Sequence, residues 1–416
     1  MSASSTTPEV SAIIQPSASA MLDHSKLMSK QHSDGGWGLV PIQSRAGRFS
    51  SFDVADFEKV TGFEAEWKYT PIRTIAALLD GALDGGRYDF TSQVSAGNPD
   101  NLSIEWVDRS DSRIGSVGTP EERGSANAWS SFGEALVISV SGEELVEASV
   151  TRSAFGTDAR AAHLVIDAQP NSRGTVVLNN SGTAQLSENV EVSVGEGARL
   201  TVVTVQEWDK DAIHLATHFT HLGKDAQLRH VVVTLGGSVV RVNTNAHLAG
   251  EASDVELLGV YFADAGEHLE QQTYVNHDAP RSKSRVNYRG ALQGEKARSV
   301  WIGDVLIRPT APATDSYEEN RNLLLTDGTR ADSVPNLEIE TGDIAGAGHA
   351  STSGRFDDEQ LFYLQSRGIG ENEARRLVVR GFLTSTIQKI GVPELEERLQ
   401  AALEQELRMS TEGARS

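Results

Sequence analysis

The sequence predicts a mainly β protein whose centre is a stack of strand-and-turn units, with helical segments before and after it. Three observations carry this. Val190, Val192 and Val194 alternate with polar residues, and the runs Leu200–Val205, Leu228–Leu235, Val239–Val242 and Val255–Phe262 are short, rich in β-branched residues and bounded by turn formers. The glycines Gly182, Gly195, Gly223, Gly236, Gly250 and Gly266 recur at roughly 13–16 residues or twice that, the spacing of stacked strand-turn units. No long amphipathic helix interleaves with these runs, which disfavours a doubly wound α/β sheet. A β-solenoid, in which each rung buries its inward face on its neighbours, and a β-sandwich both satisfy these facts. Quasi-regular rungs without a hairpin series favour the solenoid.

The flanks read differently. Residues 1–30 are poor in bulky apolar side chains and read as a mobile tail. Residues 31–125 read as a helical or mixed region. Phe52, Val54, Phe57, Val60 and Phe63 recur near helical spacing, Ile72, Ile75, Ala76, Leu78 and Leu79 form a second stripe, and Gly85–Gly86 stops it. Residues 126–354 hold the β core. In residues 355–416 the period is helical again. One helix fits Asp357–Arg367, with Leu361 and Leu364 inward and Gly368 as its stop. A second fits Glu371–Ile390 along Ala374, Leu377, Val378, Phe382 and Ile387. Pro393 opens a third, carrying Leu395, Leu399, Ala402, Leu403 and Leu407. Glu371 with Arg375 and Glu404 with Arg408 stand at the four-residue spacing that supports a helix.

Composition excludes much chemistry. With 58 Asp+Glu against 37 Lys+Arg the formal charge is -21, which repels phosphate backbones and argues against a nucleic-acid partner. No apolar run approaches the 18 or so residues of a membrane-spanning helix, and Met1–Ser19 lacks the basic-then-apolar order of a secretory signal. The expected location is the cytoplasm. Zero cysteine means no disulfide, no thiol nucleophile and no thiolate metal site from this chain alone. P-loop, H-E-x-x-H and G-x-S-x-G signatures are missing.

Few residues remain as candidates. His214, His218 and His221 are the densest histidine cluster: on a helix they would share a face and could hold a metal, on a strand His218 and His221 point to opposite faces. The run around them reads as strand, which makes them ladder histidines. His349 sits among small residues, Gly346-Ala347-Gly348-His349-Ala350-Ser351, which leaves its imidazole accessible to a metal or a partner chain; a hydrogen-bonded structural histidine is the other reading. The Gly346-Ala347-Gly348 turn lacks the third glycine of a dinucleotide cradle. No isolated, spaced carboxylate pair stands in an apolar setting, so the acidic residues read mostly as solvated surface. The Leu395–Leu407 stripe either closes the third helix on its neighbours or enters another protein's groove.

An ordered series of blocks goes further than composition. Arg321-Asn322-Leu323-Leu324-Leu325, Pro335-Asn336-Leu337-Glu338-Ile339, Gly348-His349-Ala350-Ser351 and Asp357 through Ile369 follow one another, with Asn276-His277-Asp278-Ala279-Pro280, Tyr288-Arg289-Gly290, Gly303 and Asp315 upstream. The series resembles the SufB/SufD family of iron–sulfur cluster assembly proteins. Glu66-Trp67-Lys68-Tyr69-Thr70 is similar to its SufD branch.

The resemblance implies a right-handed parallel β-helix core with a helical N-terminal region and a C-terminal helical domain. It implies a non-catalytic scaffold subunit that pairs with SufB through the β-helix and docks the SufC ATPase through its C-terminal helices. It implies no cofactor held by this chain alone, with a nascent iron–sulfur cluster forming at the interface with SufB. His349 falls on the family's histidine in that interface and is the one metal-site residue it implies. Ala347 stands where relatives keep a cysteine, and the stretch from Glu338 to His349 is one residue longer than the common pattern. The reading from a different class is a stand-alone β-helix enzyme acting on a polysaccharide.

Overall fold

The structure is a computed structural model and describes residues 45–153, 155–356 and 358–413. The N-terminal tail expected over residues 1–30 lies outside the described residues. The strands in chain order are β1 (Thr91–Ala96), β2 (Leu102–Asp108), β3 (Glu134–Val140), β4 (Val146–Arg152), β5 (Ala159–Ala168) and β6 (Arg173–Gly182). Then follow β7 (Gln185–Val194), β8 (Arg199–Trp208), β9 (Ile213–Leu222), β10 (Gln227–Thr234), β11 (Val239–Leu248) and β12 (Asp254–Ala263). The last are β13 (His268–His277), β14 (Lys283–Leu292), β15 (Arg298–Ile307), β16 (Thr314–Leu324), β17 (Arg330–Ile339) and β18 (Ile344–Arg355).

From β3 onward the chain alternates between two nine-stranded sheets, odd strands in one and even strands in the other. Every pairing among these strands is parallel; one full coil carries Arg173 onto Arg199, then onto Gln227, Asp254 and Lys283. This is the parallel β-solenoid, and the sandwich is set aside. Alternate side chains point into the coil, where Leu, Val, Ile and Ala from both sheets form one continuous core.

The glycine spacing has a physical cause. Gly195, Gly223 and Gly250 stack at one corner of successive coils, where a Cβ on Gly195 or Gly250 would collide with backbone of the coil below and one on Gly223 would press tightly on it. Gly182 ends β6, and Gly236 and Gly266 follow the even-numbered strands β10 and β12, so the two interleaved sets give half-coil spacing. Next to the first column runs a set of left-handed residues, Asn171, Gly197, Asp225, Ala252, Arg281 and Ala313. The amide of each bonds a carbonyl of the next coil, as in Asp225 to Glu251 and Arg281 to Pro312.

Apart from β1 and β2, the segments before β3 pack on the outer face of the odd-stranded sheet. Helix α1 (Ile72–Asp80) seats Ile75, Leu78 and Leu79 with Trp67 on Ile213, Leu215 and Val239. Helix α2 (Arg123–Ser131) brings Trp129 and, beyond its end, Phe132 against Ala135 and Ala161. The expected stripe Phe52–Phe63 is not a helix. Only a 3-10 turn at Val54–Asp56 forms, capped by the Asp53 side chain; Phe57 is extended and Gly62 takes a φ of 88°. Phe52 packs on the Trp129 ring while Phe63 stays in solvent, so the spacing reflects separate contacts of an irregular segment.

Three helices close the chain: α3 (Asp358–Ser366), α4 (Glu371–Ile387) and α5 (Pro393–Gly413). They pack on the outer face of the even-stranded sheet, where Val203, Val205, Val231, Val233, Leu258, Val260 and Phe262 meet Leu361, Ala374, Val379, Leu383 and Ile387. Leu395, Leu399, Leu403 and Leu407 are buried in the same cluster, so the α5 stripe is consumed by its own chain rather than left for a groove. The Glu371–Arg375 pair forms as expected, whereas the Arg408 side chain lies outside the described side chains.

Candidate functional site at the open end of the solenoid

The two ends of the coil differ. At the start, β1 and β2 run antiparallel to β4 and β3, and Phe90 and Trp106 pack with Tyr88 against the core. At the other end β17 and β18 each have a single strand neighbour among the described residues. Ala331, Leu337 and Ala347 there are only partly covered, whereas most residues of β15, one coil below β17, are buried. Unpaired edges with half-exposed inward side chains form an open mouth.

His349 lies in that mouth. It is on β18, in a strand rather than at a turn before the helical tail, and the Gly346-Ala347-Gly348 stretch is strand as well. Ala345 is an extra residue that bulges between Ile344 and Gly346 opposite Thr314–Asp315. The bulge lies in the stretch from Glu338 to His349, read as one residue longer than the common pattern, and beyond it regular register resumes. Register then places Val202, His230, Leu257, Val286, Glu318 and His349 in one inward column across β8, β10, β12, β14, β16 and β18. The His349 side chain is 43% exposed, and its Nδ1 stands 3.9 Å from Glu318 Oε1.

Glu318 is the residue that the sequence reading missed. Its side chain is fully buried, and neither carboxylate oxygen has a hydrogen-bond partner among the described residues. Burial, with the nearby charge of Asp304 adding to it, pushes its carboxyl up to about 8. Its neighbours on β16 behave differently. Asn320 donates to the Tyr261 hydroxyl at 3.0 Å, Tyr261 donates to Asn322 at 2.6 Å, and Ser333 donates to Asn320 at 2.7 Å. Room for the carboxylate comes from Gly303 on β15, where a Cβ would collide with Trp301 and with Glu318 Oε2. The signal was available in the alternation of Ser316, Glu318, Asn320 and Asn322 along one face of a strand.

The histidine cluster is a ladder set on β9. His214 bonds Glu188 at 2.8 Å, and Glu188 is held by Arg152 at 2.7 Å inside the coil. His218 faces inward too, 2.9 Å from His230, while His221 points outward against the His247 ring. Among the described residues no three His, Asp or Glu side chains converge as a metal site. The acidic residues are not all solvated surface: Glu188 and Glu270 are buried with arginines, and Glu191 accepts from the amides of Gly115 and Val117 and pairs with His163.

The SufD-like run docks the N-terminal region. The Arg241 guanidinium lies 4.0 Å over the Trp67 ring and is bonded to Glu122 and Glu270, and Thr70 donates to Glu270 at 2.8 Å.

Fold and site define a parallel β-solenoid scaffold, with antiparallel strands at one end and the parallel edges of β17 and β18 at the other. The family model described as SUF system FeS cluster assembly, SufBD core domain, matches residues 151–382. A SufBD family iron–sulfur cluster assembly protein of Mycobacterium leprae is 49% identical over 369 residues, spanning 86% of this chain and 93% of that protein. A counterpart in Mycobacterium tuberculosis H37Rv is 48% identical over 87% of this chain and 93% of its own length. Escherichia coli SufD is 30% identical over 221 residues, about half of each chain. The chain belongs to the SufBD family of iron–sulfur cluster assembly proteins. No described helix is long and apolar enough to cross a membrane.

Proposed function

We propose that this chain is a SufD-like, non-catalytic scaffold subunit of a cytoplasmic iron–sulfur assembly complex. It pairs with a SufB chain at the open end of its solenoid and docks the ATPase SufC through its C-terminal helices. The observation that carries this reading is the mouth itself. Two unpaired parallel edges, β17 and β18, lie beside half-exposed Ala347 and His349, while the opposite end carries the antiparallel strands β1 and β2. A second solenoid that continued these edges would satisfy their backbone groups and cover the apolar rim. The nascent cluster is cargo built at that junction. With no cysteine here, thiolates come from across it.

SufC docking falls on α3 in this reading. Phe362 and Tyr363 are 72% and 55% exposed, while the α5 stripe is buried. Co-purification of the tagged full chain from its own cells, with identification of the bound chains, tests the whole reading. Recovery of SufB and SufC is expected. Their absence, or robust polysaccharide cleavage by the purified chain, overturns it.

A further inference from the structure

We propose that Glu318 and His349 form a two-donor half-site for a divalent first-row cation at the mouth of the solenoid. The proposal deepens the reading above, in which the cation is the ferrous iron of the cargo, and it concerns a carboxylate that composition and sequence blocks did not single out.

Glu318 makes no hydrogen bond within the coil. Leu257 and Val286 occupy the same inward column in the two coils beneath it. An aliphatic side chain would continue that column at no desolvation cost, whereas a carboxyl without a hydrogen bond is expensive in such a place. Asn320 and Asn322, two and four residues on, have their polar groups bonded. Along the inward face of β16, Glu318 is thus the carboxylate without a partner, beside the equally unpaired Trp301 indole N–H on β15.

At 3.9 Å, Glu318 Oε1 and His349 Nδ1 are too far apart for a hydrogen bond, which ends at about 3.2 Å. A cation held at about 2.0–2.2 Å from an oxygen and a nitrogen admits donor separations up to roughly 4.2 Å. Imidazole with carboxylate is the donor pair that suits iron, zinc and manganese. His349 is partly exposed at the rim and Glu318 lies directly behind it, so a cation arriving from the open end meets the imidazole first. Gly303 keeps the volume beside Oε2 clear. Two donors do not complete a coordination shell; water fills the rest in the free chain, and groups across the mouth do so in the assembly.

The test uses the purified full chain and Co2+ as the probe, read by calorimetry and by the shift in melting temperature. Wild type takes up one equivalent, and Co2+ raises its melting temperature. Glu318→Gln and His349→Ala each weaken uptake, on the order of 10-fold or more. Glu318→Asp, which keeps the charge and shortens its reach, weakens it as well. Asp327→Asn, at an exposed site paired with Arg355, binds as wild type does. The melting temperature of each variant without Co2+ separates lost binding from lost fold. No saturable uptake by wild type, or equal uptake by wild type and the folded Glu318 variants, overturns the proposal. Because the isotherm is measured on the isolated chain, it stands apart from whether SufB and SufC co-purify.

Discussion

His218 Nδ1 lies 2.9 Å from His230 Nε2 inside the coil, joining β9 of one sheet to β10 of the other. Both rings are buried, and burial lowers their basicity: His218 falls to about 4, and His230 falls well below its usual value, with His218 adding to the effect. His277, bonded to Ser282 and Ser284, falls to about 3 for the same reason. These imidazoles are neutral in the folded chain at pH 7.

Their pH consequence has a definite sign. An unfolded histidine takes a proton near pH 6.5, but the folded one does not until pH 4 or lower. Stability is therefore full above about 6.5 and falls as pH drops from there toward 4. Glu270, held down to about 2 by Arg241 against its burial, acts lower, between its usual value of 4.5 and about 2. Melting curves from pH 7.5 to 4.5 should show a steady decline. The double variant His218→Leu/His230→Leu should flatten it without removing it, because His277 remains. An unchanged slope would count against the pair.

Arg241 and Trp67 give the second prediction. Arg241 is 1% exposed and sits between two carboxylates and the indole face. Arg241→Ala strands Glu122 and Glu270 and should cost about 3–5 kcal/mol. Trp67→Ala, which empties a site shared with Ile75, Leu78 and Leu79, should cost a similar ~3–5 kcal/mol. Hydrogen exchange locates the loss. Amides of α1 should lose protection first, while β7 to β13 keep theirs.

Much of this fold was legible because the solenoid repeats. Gly195, Gly223 and Gly250 mark one corner on successive coils, and valine-rich runs mark the rungs between them. The left-handed column was hidden because only one of its six members is glycine; Asp225, Ala252 and Arg281 are held there by backbone bonds to the next coil, which local preference does not reveal. The Phe52–Phe63 spacing misled for the opposite reason. Its apolar residues meet different neighbours one by one, and periodicity alone does not distinguish that from a helix face. His349 was legible through the family blocks. Glu318 was not, because its meaning depends on which face of β16 turns inward, and that is set by register with β14 and β18.

The exposed pair on α3 gives the third prediction. Phe362→Ala and Tyr363→Ala remove side chains that are largely in solvent, so stability should move by no more than about 0.5 kcal/mol. Capture of SufC in a pull-down should fall sharply for the double variant. Deleting α4 and α5 is a poor substitute, because it would uncover the apolar face formed by Val203, Val231, Val260 and Phe262. Full SufC recovery by the double variant would move the docking surface elsewhere on the chain.

Gly303 gives the fourth prediction, and it checks the geometry at the mouth without any ligand. A methyl group at this position meets both the Trp301 ring and the Glu318 carboxylate, in a coil where neither can retreat into solvent. Gly303→Ala should therefore destabilise by about 1–3 kcal/mol, the usual cost of overpacking a filled interior. Glu318→Ala frees volume on one side of the new methyl but leaves the indole on the other. The double variant Gly303→Ala/Glu318→Ala should accordingly be more stable than the two single changes predict when added, by at least ~0.5 kcal/mol of coupling. Additive behaviour would mean that Gly303 answers to Trp301 alone, and that the space beside Oε2 is not kept for the carboxylate.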